Sequence, residues 1–263
     1  LIMQNFNSYY FFKSALTPEQ CKKIIDYGES LLEKTKTEGK STAAVTFGKN
    51  HKQAFEEKGT LVKPLGDKTH EDISKELKVF DGTVEEKTYV RDSETAWFND
   101  QWVYDLIWPF LTEANEKAGW RYDLDFGEDF QFTKYGLNQF YGWHSDGGGC
   151  HFKTYKRLIP GVTPIDKKGD YDSIYTKNPN LVGKVRKISM TINLNVPGDY
   201  EGGNLKFDYG PHVGSGKRFY ECEEIRPQGS IIFFPSYTYH QVTPVTKGTR
   251  YSLVLWICGK PFR

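Results

Sequence analysis

The sequence lacks the features that direct a chain into a membrane or onto nucleic acid. It contains no apolar run close to the roughly 20 residues that a membrane-spanning helix needs. Residues 1–3 show neither the basic start nor the long apolar run of a signal peptide. The formal net charge is only +1, so no global electric field draws the chain to nucleic acid or lipid. We therefore expect a cytoplasmic protein with neither a membrane partner nor a nucleic-acid partner.

Cysteine is also scarce, and its spacing excludes the common cysteine-based sites. Cys21, Cys150, Cys222 and Cys258 lie far apart, which fits neither a disulfide framework nor a zinc-binding knuckle. Internal repeats and low-complexity segments are absent from the sequence as well. What the chain does contain is 16% aromatic and 38% hydrophobic residues over 263 positions, enough to bury a full core. We expect one domain over residues 1–263 with four reduced thiols.

Two helices are predicted in the N-terminal half. In Thr17-Pro-Glu-Gln, a threonine cap, a proline at the first helical position and a glutamine at the third form the start of a helix that should extend to about Thr35. The apolar run that follows Asp100 predicts a second helix, which should end near Ala118. Residues 36–87 are rich in lysine and poor in large apolar side chains, so we expect loops there.

The C-terminal half has the pattern of a β structure. From Asp129 onward, glycine and proline separate short segments in which apolar and polar residues alternate, as they do in Ile188–Val196. Such alternation is typical of strands whose two faces have different surroundings. The predicted fold class is therefore α+β and mainly β. A helical and loop-containing support region at residues 1–128 should pack on a jelly-roll β-barrel core at residues 129–262.

The sequence contains two His-x-Asp pairs, and their contexts separate them. His70 and Asp72 follow a threonine in a polar run that predicts a helix start, and side chains two positions apart on a helix do not share a face. His144 and Asp146 end a predicted strand, where side chains two positions apart do share a face. His240 follows a later apolar strand. We therefore expect the second pair and His240 to bind one metal ion.

Two imidazoles and one carboxylate on one side of a metal ion leave its other side open. That arrangement suits non-haem Fe(II), which binds a bidentate cosubstrate and O₂ at the open positions, although the same ligands can hold Zn²⁺. Arg250 and Ser252 share a face of a predicted strand, and an arginine in such an apolar run needs a partner. A dicarboxylate supplies one through paired guanidinium–carboxylate hydrogen bonds, with Ser252 adding another. This second element favours iron with an acidic cosubstrate.

Four segments, in this order, resemble the core of one enzyme superfamily: Gly142-Trp-His-Ser-Asp146, Tyr200-Glu-Gly-Gly-Asn-Leu205, Phe234-Pro-Ser-Tyr-Thr-Tyr-His240 and Gly248-Thr-Arg250-Tyr-Ser252. They are similar to the double-stranded β-helix of the Fe(II)/2-oxoglutarate-dependent dioxygenases. More narrowly, they resemble the prolyl 4-hydroxylase-like, PKHD-type branch, including its phage-borne members. The resemblance covers about residues 90–262 and implies a cupin-like, jelly-roll core within the α+β fold.

The resemblance also implies a role for each matching residue. His144, Asp146 and His240 would bind Fe(II), and together with Arg250 they would form the catalytic site. Arg250 and Ser252 would bind the distal carboxylate of 2-oxoglutarate. The other residues that would contact the cosubstrate or line its pocket are Tyr135, Thr191, Asn193, Leu205 and Trp256.

The reaction that the resemblance implies consumes 2-oxoglutarate and O₂, releases succinate and CO₂, and hydroxylates an unactivated C–H bond. Ascorbate is a candidate reductant. The expected partner is a peptide or protein substrate in which a prolyl or similar residue is the target. Three alternatives stay open at this point: a free amino acid or other small molecule as substrate, a metal-stabilised barrel that binds an acidic partner without turnover, and a cupin-like metalloenzyme without 2-oxoglutarate.

A long segment separates the His-x-Asp pair from the next core strand. Residues 150–186 contain eight lysines and arginines against three aspartates, a net charge of +5 (8 − 3) in a near-neutral chain. A loop of this length is usually functional or disordered. We interpret it as a lid that selects the substrate, with a solvated surface loop as the alternative. Its deletion should abolish product formation while substrate-free turnover of 2-oxoglutarate continues.

Overall fold

The structure is a computed structural model that describes residues 7–46, 49–50, 91–146, 154–157, 175–176, 178–209 and 219–262. The helix start expected at His70 lies outside these residues, as do most of the loops expected at 36–87 and most of the segment 150–186. None of the described helices is long and apolar enough to cross a membrane.

Both helices predicted in the N-terminal half are present. They are α1 (Pro18–Thr37) and α2 (Gln101–Lys117). The capping box of α1 is complete, because the backbone N–H of Gln20 donates to Thr17 Oγ1 at 3.2 Å and the backbone N–H of Thr17 donates to Gln20 Oε1 at 2.8 Å. Two of the four N-terminal amide groups that a helix leaves unpaired are thereby satisfied.

The strands, in chain order, are β1 (Tyr10–Phe12), β2 (Val45–Thr46), β3 (Lys49–Asn50), β4 (Arg91–Asp92), β5 (Glu94–Phe98), β6 (Phe126–Gly127), β7 (Phe130–Tyr135), β8 (Phe140–His144), β9 (Lys156–Arg157), β10 (Tyr175–Thr176), β11 (Val185–Asn193), β12 (Tyr200–Gly202), β13 (Leu205–Asp208), β14 (Phe219–Glu221), β15 (Ile231–Pro235), β16 (Tyr239–Val242), β17 (Val245–Gly248) and β18 (Arg250–Gly259). Most of them lie in two antiparallel sheets. The larger sheet has the order β1-β15-β11-β18-β7-β5, with β6 beside β18, and the smaller has the order β14-β13-β16-β8-β4. Two antiparallel sheets with a shared interior are the jelly-roll arrangement predicted for the C-terminal half.

The larger sheet separates the hydrophobic core from a more polar interior. One set of alternating side chains packs against α1 and α2; it includes Phe130, Phe132, Ile188, Met190, Ile192, Leu253, Leu255 and Ile257. Helix α1 crosses this face so closely that a Cβ added to Gly28 would lie 2.3 Å from Phe132 Cγ. The opposite set of side chains faces the smaller sheet and is unusually polar for a buried surface. Buried polar groups need hydrogen-bonding partners. The functional site is therefore expected on this side of the sheet.

The N-terminal region contributes strands as well as helices. β1 pairs with β15 and β5 pairs with β7, so both edges of the larger sheet come from this region. β4 pairs with β8 at the edge of the smaller sheet. The N-terminal region thus supports the barrel with strands in addition to its helices. Residues from this region therefore pair with strands of the C-terminal half and form edge strands of both sheets.

Candidate metal centre

The pairing of β8 with β16 brings the two histidines together. His144 is the last residue of β8, and it lies directly opposite His240 in the ladder. Asp146 follows two positions later, with its Oδ1 atom 3.9 Å from His144 Nε2 and its Oδ2 atom 3.7 Å from His240 Nε2. One ligand atom from each of the three residues lies within 4.8 Å of the others. The three side chains are thus close enough to bind one ion.

Each histidine ring is held by its own strand. His144 Nδ1 lies 2.7 Å from the carbonyl oxygen of Gly142, and His240 Nδ1 lies 2.9 Å from the carbonyl oxygen of Thr238. A carbonyl can only accept, so both Nδ1 atoms carry the proton and both Nε2 atoms present a lone pair. That tautomer is the one in which Nε2 binds a metal and the second nitrogen is anchored by the protein.

Charge at the centre is suited to a cation. Burial, and then the neighbouring His240, lower the pKa of His144 to about 3, so this imidazole is neutral at physiological pH. Burial alone would raise the pKa of Asp146, but the two imidazoles, Arg186 and a hydrogen bond from Ser189 hold it below its usual value. Ser189 Oγ donates to Asp146 Oδ2 at 2.5 Å. The centre therefore offers two imidazole nitrogens and one carboxylate.

Arg250 is buried without a carboxylate. Only 1% of its surface is exposed, its Nη1 atom donates to Ser252 Oγ at 3.2 Å, and its guanidinium carbon lies 5.3 Å from the ring centroid of Tyr135. Its Nε atom has no hydrogen-bond partner. Within the part of the chain that the structure describes, no carboxylate pairs with it. A buried cation in this state is costly, so the donor set fits an anionic group that enters from outside.

The glycine turn between β12 and β13 makes room for this arginine. Gly203 has a φ angle of +58°, and a Cβ at this position would lie 2.8 Å from Arg250 Cδ. Glycine is therefore required both by the backbone conformation and by the close approach.

Most of the predicted site residues line one cavity between the two sheets: His144, Asp146, His240, Arg250, Ser252, Tyr135, Thr191, Leu205 and Trp256. The free volume of this cavity is about 40 Å³, room for on the order of one water molecule. The cavity holds three metal-ligand side chains and one unpaired arginine.

A family model described as the 2OG-Fe(II) oxygenase superfamily matches residues 130–258, which include His144, Asp146, His240 and Arg250. The matched region belongs to the 2OG-Fe(II) oxygenase superfamily. The superfamily that the sequence motifs predicted is thereby confirmed.

Relatives of this oxygenase region carry the name of the predicted branch. A PKHD-type hydroxylase from Xylella fastidiosa (strain 9a5c) is 32% identical over 129 residues, which are 48% of this chain and 43% of that protein. The chain thus matches less than half the length of this curated relative. The PKHD-type branch of the 2OG-Fe(II) oxygenases is confirmed for the matched region.

Solved structures share the fold over a larger part of the chain. A viral collagen prolyl hydroxylase from Paramecium bursaria Chlorella virus-1 is 17% identical, with a TM-score of 0.51, and the match covers 98% of this chain and 99% of that one. A prolyl hydroxylase from Trichoplax adhaerens, solved with a hypoxia inducible factor peptide, is 13% identical, with a TM-score of 0.51, and the match covers 96% and 84%. The double-stranded β-helix fold is confirmed.

Asn193 is the predicted oxygenase pocket residue that does not line the cavity. Its side-chain amide donates to the carbonyl oxygens of Arg226 at 2.8 Å and Asn195 at 3.3 Å, and its Oδ1 atom accepts from Tyr200 Oη at 3.4 Å. The alternation along β11 is right, but the strand ends here. The Asn193 side chain therefore connects loops in this structure, and its contact with the cosubstrate stays a prediction.

The structure also places a second arginine in the cavity that the sequence did not single out. Arg91 is 7% exposed; its Nη2 atom donates to Gln131 Oε1 at 2.7 Å, and its guanidinium carbon lies 4.6 Å from the ring centroid of Tyr141. That tyrosine stacks on His144 at 3.5 Å. The sequence carried little signal for Arg91, because β4 has only two residues and follows a lysine-rich stretch.

Proposed function

We propose that this chain is an Fe(II)- and 2-oxoglutarate-dependent dioxygenase that hydroxylates an unactivated C–H bond of a prolyl or similar residue in a peptide or protein. The observation that carries the proposal is the buried, carboxylate-free Arg250 in the same cavity as His144, Asp146 and His240. A metal site alone would not need this arginine, whereas a dicarboxylate cosubstrate does.

The atoms of the overall reaction balance. 2-Oxoglutarate, O₂ and a C–H bond give succinate, CO₂ and a C–OH group, with one oxygen atom entering the new carboxylate of succinate and the other entering the hydroxyl. Fe(II), when bound, supplies the activation of O₂. His144, Asp146 and His240 would hold it. Ascorbate is a candidate reductant of this metal.

The other cavity residues would bind 2-oxoglutarate and exclude bulk water. Arg250 donates paired hydrogen bonds to the distal carboxylate of 2-oxoglutarate, and Ser252, already 3.2 Å from Arg250 Nη1, adds another donor. Tyr135, whose ring centroid lies 5.3 Å from the guanidinium carbon of Arg250, would donate its hydroxyl to the same cosubstrate. Thr191 and Leu205 close the wall against bulk water, which strengthens these polar contacts.

A peptide substrate is favoured by the surface beside the cavity. A groove of about 760 Å³ lies between the end of α1 and β5, and Arg91 and Gln131 line both this groove and the metal cavity. That volume exceeds what a free amino acid needs and lies within the range of sites for larger ligands. The peptide bound to the Trichoplax prolyl hydroxylase supports the same substrate class by analogy.

The proposal is tested by anaerobic titration of the metal-free protein with Fe(II) and 2-oxoglutarate. We expect the visible charge-transfer band of a chelated 2-oxoacid, which should require both components. His144→Ala should abolish the band, and Lys247→Ala, on an exposed strand away from the cavity, should retain it. Tight metal binding without a band would refute the proposal in favour of a zinc or structural barrel. Turnover with free amino acids but not with peptides would refute the peptide assignment alone.

A further inference from the structure

The groove beside the metal cavity is polar, and all of its lining residues belong to the described part of the chain. It is lined by the last turns of α1, by residues 40–44, by β5 and by two side chains that also line the cavity. The backbone N–H of Thr95 donates to the carbonyl of Thr42 at 2.8 Å, and the N–H of Ala44 donates to the carbonyl of Ser93 at 2.9 Å. Residues 42–44 are thus fixed to the edge of the larger sheet, which gives the groove a defined shape.

The charges that line this groove are mostly positive. They are Lys34, Lys40 and Arg91 against Glu38, a net charge of +2 (3 − 1). Lys40 Nζ lies 2.7 Å from Glu38 Oε2, so these two charges cancel. The remaining positive charge belongs to Lys34 and Arg91.

Lys34 is the exposed member of this pair of cations. It lies in the last turn of α1, where the neighbouring Lys36 pairs with Glu33 at 3.4 Å and with Glu94 at 3.0 Å. Lys34 itself takes part in none of the ion pairs between described residues. Its ammonium group is therefore available to an acidic ligand in the groove.

Arg91 is the buried member, and its partners in the described structure are neutral. Its Nε atom donates to Ser93 Oγ at 2.8 Å, and its Nη2 atom donates to Gln131 Oε1 at 2.7 Å and to Thr133 Oγ1 at 3.3 Å. Only 7% of its surface is exposed, and no described carboxylate pairs with it. A buried cation in this state is costly, so a carboxylate that enters the groove would be stabilised.

The groove is close enough to the metal ligands to hold part of the same substrate. Arg91 and Gln131 line both the groove and the cavity. The guanidinium carbon of Arg91 lies 4.6 Å from the ring centroid of Tyr141, which lies 3.5 Å from that of His144, so Arg91 is within about 8 Å of this ligand ring. An extended peptide rises about 3.3 Å per residue. A peptide whose target residue occupies the cavity therefore places residues a few positions away in the groove.

We propose that this groove binds an acidic segment of the peptide substrate, a few residues to one side of the target residue, and that Lys34 is the side chain that determines this specificity. Arg91 adds a second positive charge at the boundary with the cavity. The proposal rests on the proposed function and narrows its substrate class. A peptide is favoured over nucleic acid, because nucleic-acid binding neutralises many phosphates at once and the groove offers two unpaired cations.

The specificity is tested with six dye-labelled, blocked peptides that share a central proline and carry three Asp, three Asn or three Lys residues on one side of it. Binding to the metal-free protein is measured by fluorescence anisotropy. On one side of the proline, the Asp peptide should bind roughly fivefold to tenfold more tightly than the Asn peptide. Salt at about 0.5 M should remove most of this difference, since it screens exposed charges. Equal affinities for the Asp, Asn and Lys peptides, no measurable binding, or the same preference on both sides of the proline would overturn the proposal.

Charge reversal shows whether Lys34 is responsible. Lys34→Glu should bind the Lys peptide more tightly than the Asp peptide on the same side, a gain that an unfolded variant could not show. Lys117→Glu is the matched control, because Lys117 is an exposed lysine in the last turn of α2 that does not line the groove; it should behave as wild type. An equal loss in both variants would overturn the role of Lys34, and tighter Lys34-dependent binding of a short oligothymidylate would overturn the peptide assignment. Failure of the proposed function would show separately, as absence of the Fe(II)/2-oxoglutarate band, and would leave the charge preference of the metal-free protein unchanged.

Discussion

Replacement of Arg250 by lysine should weaken 2-oxoglutarate binding strongly while leaving the fold intact. The guanidinium is 1% exposed, one of its nitrogens donates to Ser252, and its Nε atom has no partner. Lysine keeps the charge but presents a single point donor instead of a planar fork. The lost interaction is one charge-assisted hydrogen bond of about 1.5–3 kcal/mol, which corresponds to roughly 10- to 150-fold weaker binding.

The assay is the anaerobic Fe(II) titration, with 2-oxoglutarate varied and the visible band recorded. Arg226→Lys is the matched control, because Arg226 is a partly buried arginine whose guanidinium lies over a tyrosine ring, 4.5 Å from the centroid of Tyr200, and it does not line the cavity. Equal 2-oxoglutarate affinity in wild type and Arg250→Lys would remove Arg250 from the binding site.

The same reasoning predicts an opposite effect on the ligand-free protein. Arg250 is a buried cation without a carboxylate, so Arg250→Met should raise the free energy of unfolding by about 1 kcal/mol and the melting temperature by roughly 2–4 °C. The added stability from saturating 2-oxoglutarate should disappear in this variant. Destabilisation of the ligand-free protein by Arg250→Met would show that the arginine is structural.

Three further changes have defined outcomes. Ser189→Ala removes the hydroxyl that donates to Asp146 at 2.5 Å, so metal affinity in a competition titration should fall roughly 10- to 100-fold. Gly203→Ala forces a side chain into a left-handed turn and against the cavity arginine, so thermal stability should fall, by about 1 kcal/mol or more, together with 2-oxoglutarate affinity. The pKa of His144 is lowered to about 3, by burial first and then by His240, whereas the unfolded chain protonates near 6.5. Stability of the metal-free protein, measured by denaturant titration, should therefore fall between pH 6.5 and pH 3, by up to about 1.4 kcal/mol per unit from this group.

Each of these predictions has its own control. Ser230→Ala alters a buried serine outside the cavity, and equal metal affinities for it and Ser189→Ala would refute the role of the hydroxyl. Gly39→Ala has a φ of +71° with open space around the added Cβ, so it isolates backbone strain from contact with the arginine. For the pH prediction, His144→Gln should remove the contribution of His144 to the dependence of the free energy of unfolding on pH. An unchanged slope would mean that other groups cause it.

The helices and the faces of the strands were predictable from patterns among residues close together in the sequence. The capping box of Thr17 and Gln20 is complete within four residues, so the start of α1 was predictable from its own sequence. Arg250 and Ser252 share a face by the two-residue period of a strand, and they meet at 3.2 Å. A helix cap and the faces of a strand depend only on neighbouring residues in the sequence, so they can be predicted without knowing which distant segments pack together.

Contacts between distant segments were not predictable in the same way. Arg91 reaches the cavity only because β4 pairs with β8, and its partner Gln131 is forty positions away. Arg186 looked like one more charge of a basic loop, because its ion pair with Glu128 spans 58 positions. Asn193 obeys the alternation, but the end of β11 directs it to the loops. The surroundings of the Asn193 side chain depend on where β11 ends, and the alternation of apolar and polar residues does not predict that position.

The two candidate metal-ligand histidines, His144 and His240, are each anchored to a carbonyl two positions earlier in their own chain segment. The orientation of each imidazole ring is thus fixed by a hydrogen bond within a three-residue segment of its own strand. It does not depend on the long connection between β8 and β11. Evolution can therefore lengthen, shorten or rewrite that connection while the ligand geometry persists. Substitutions in that connection should therefore leave the orientation of both imidazole rings unchanged.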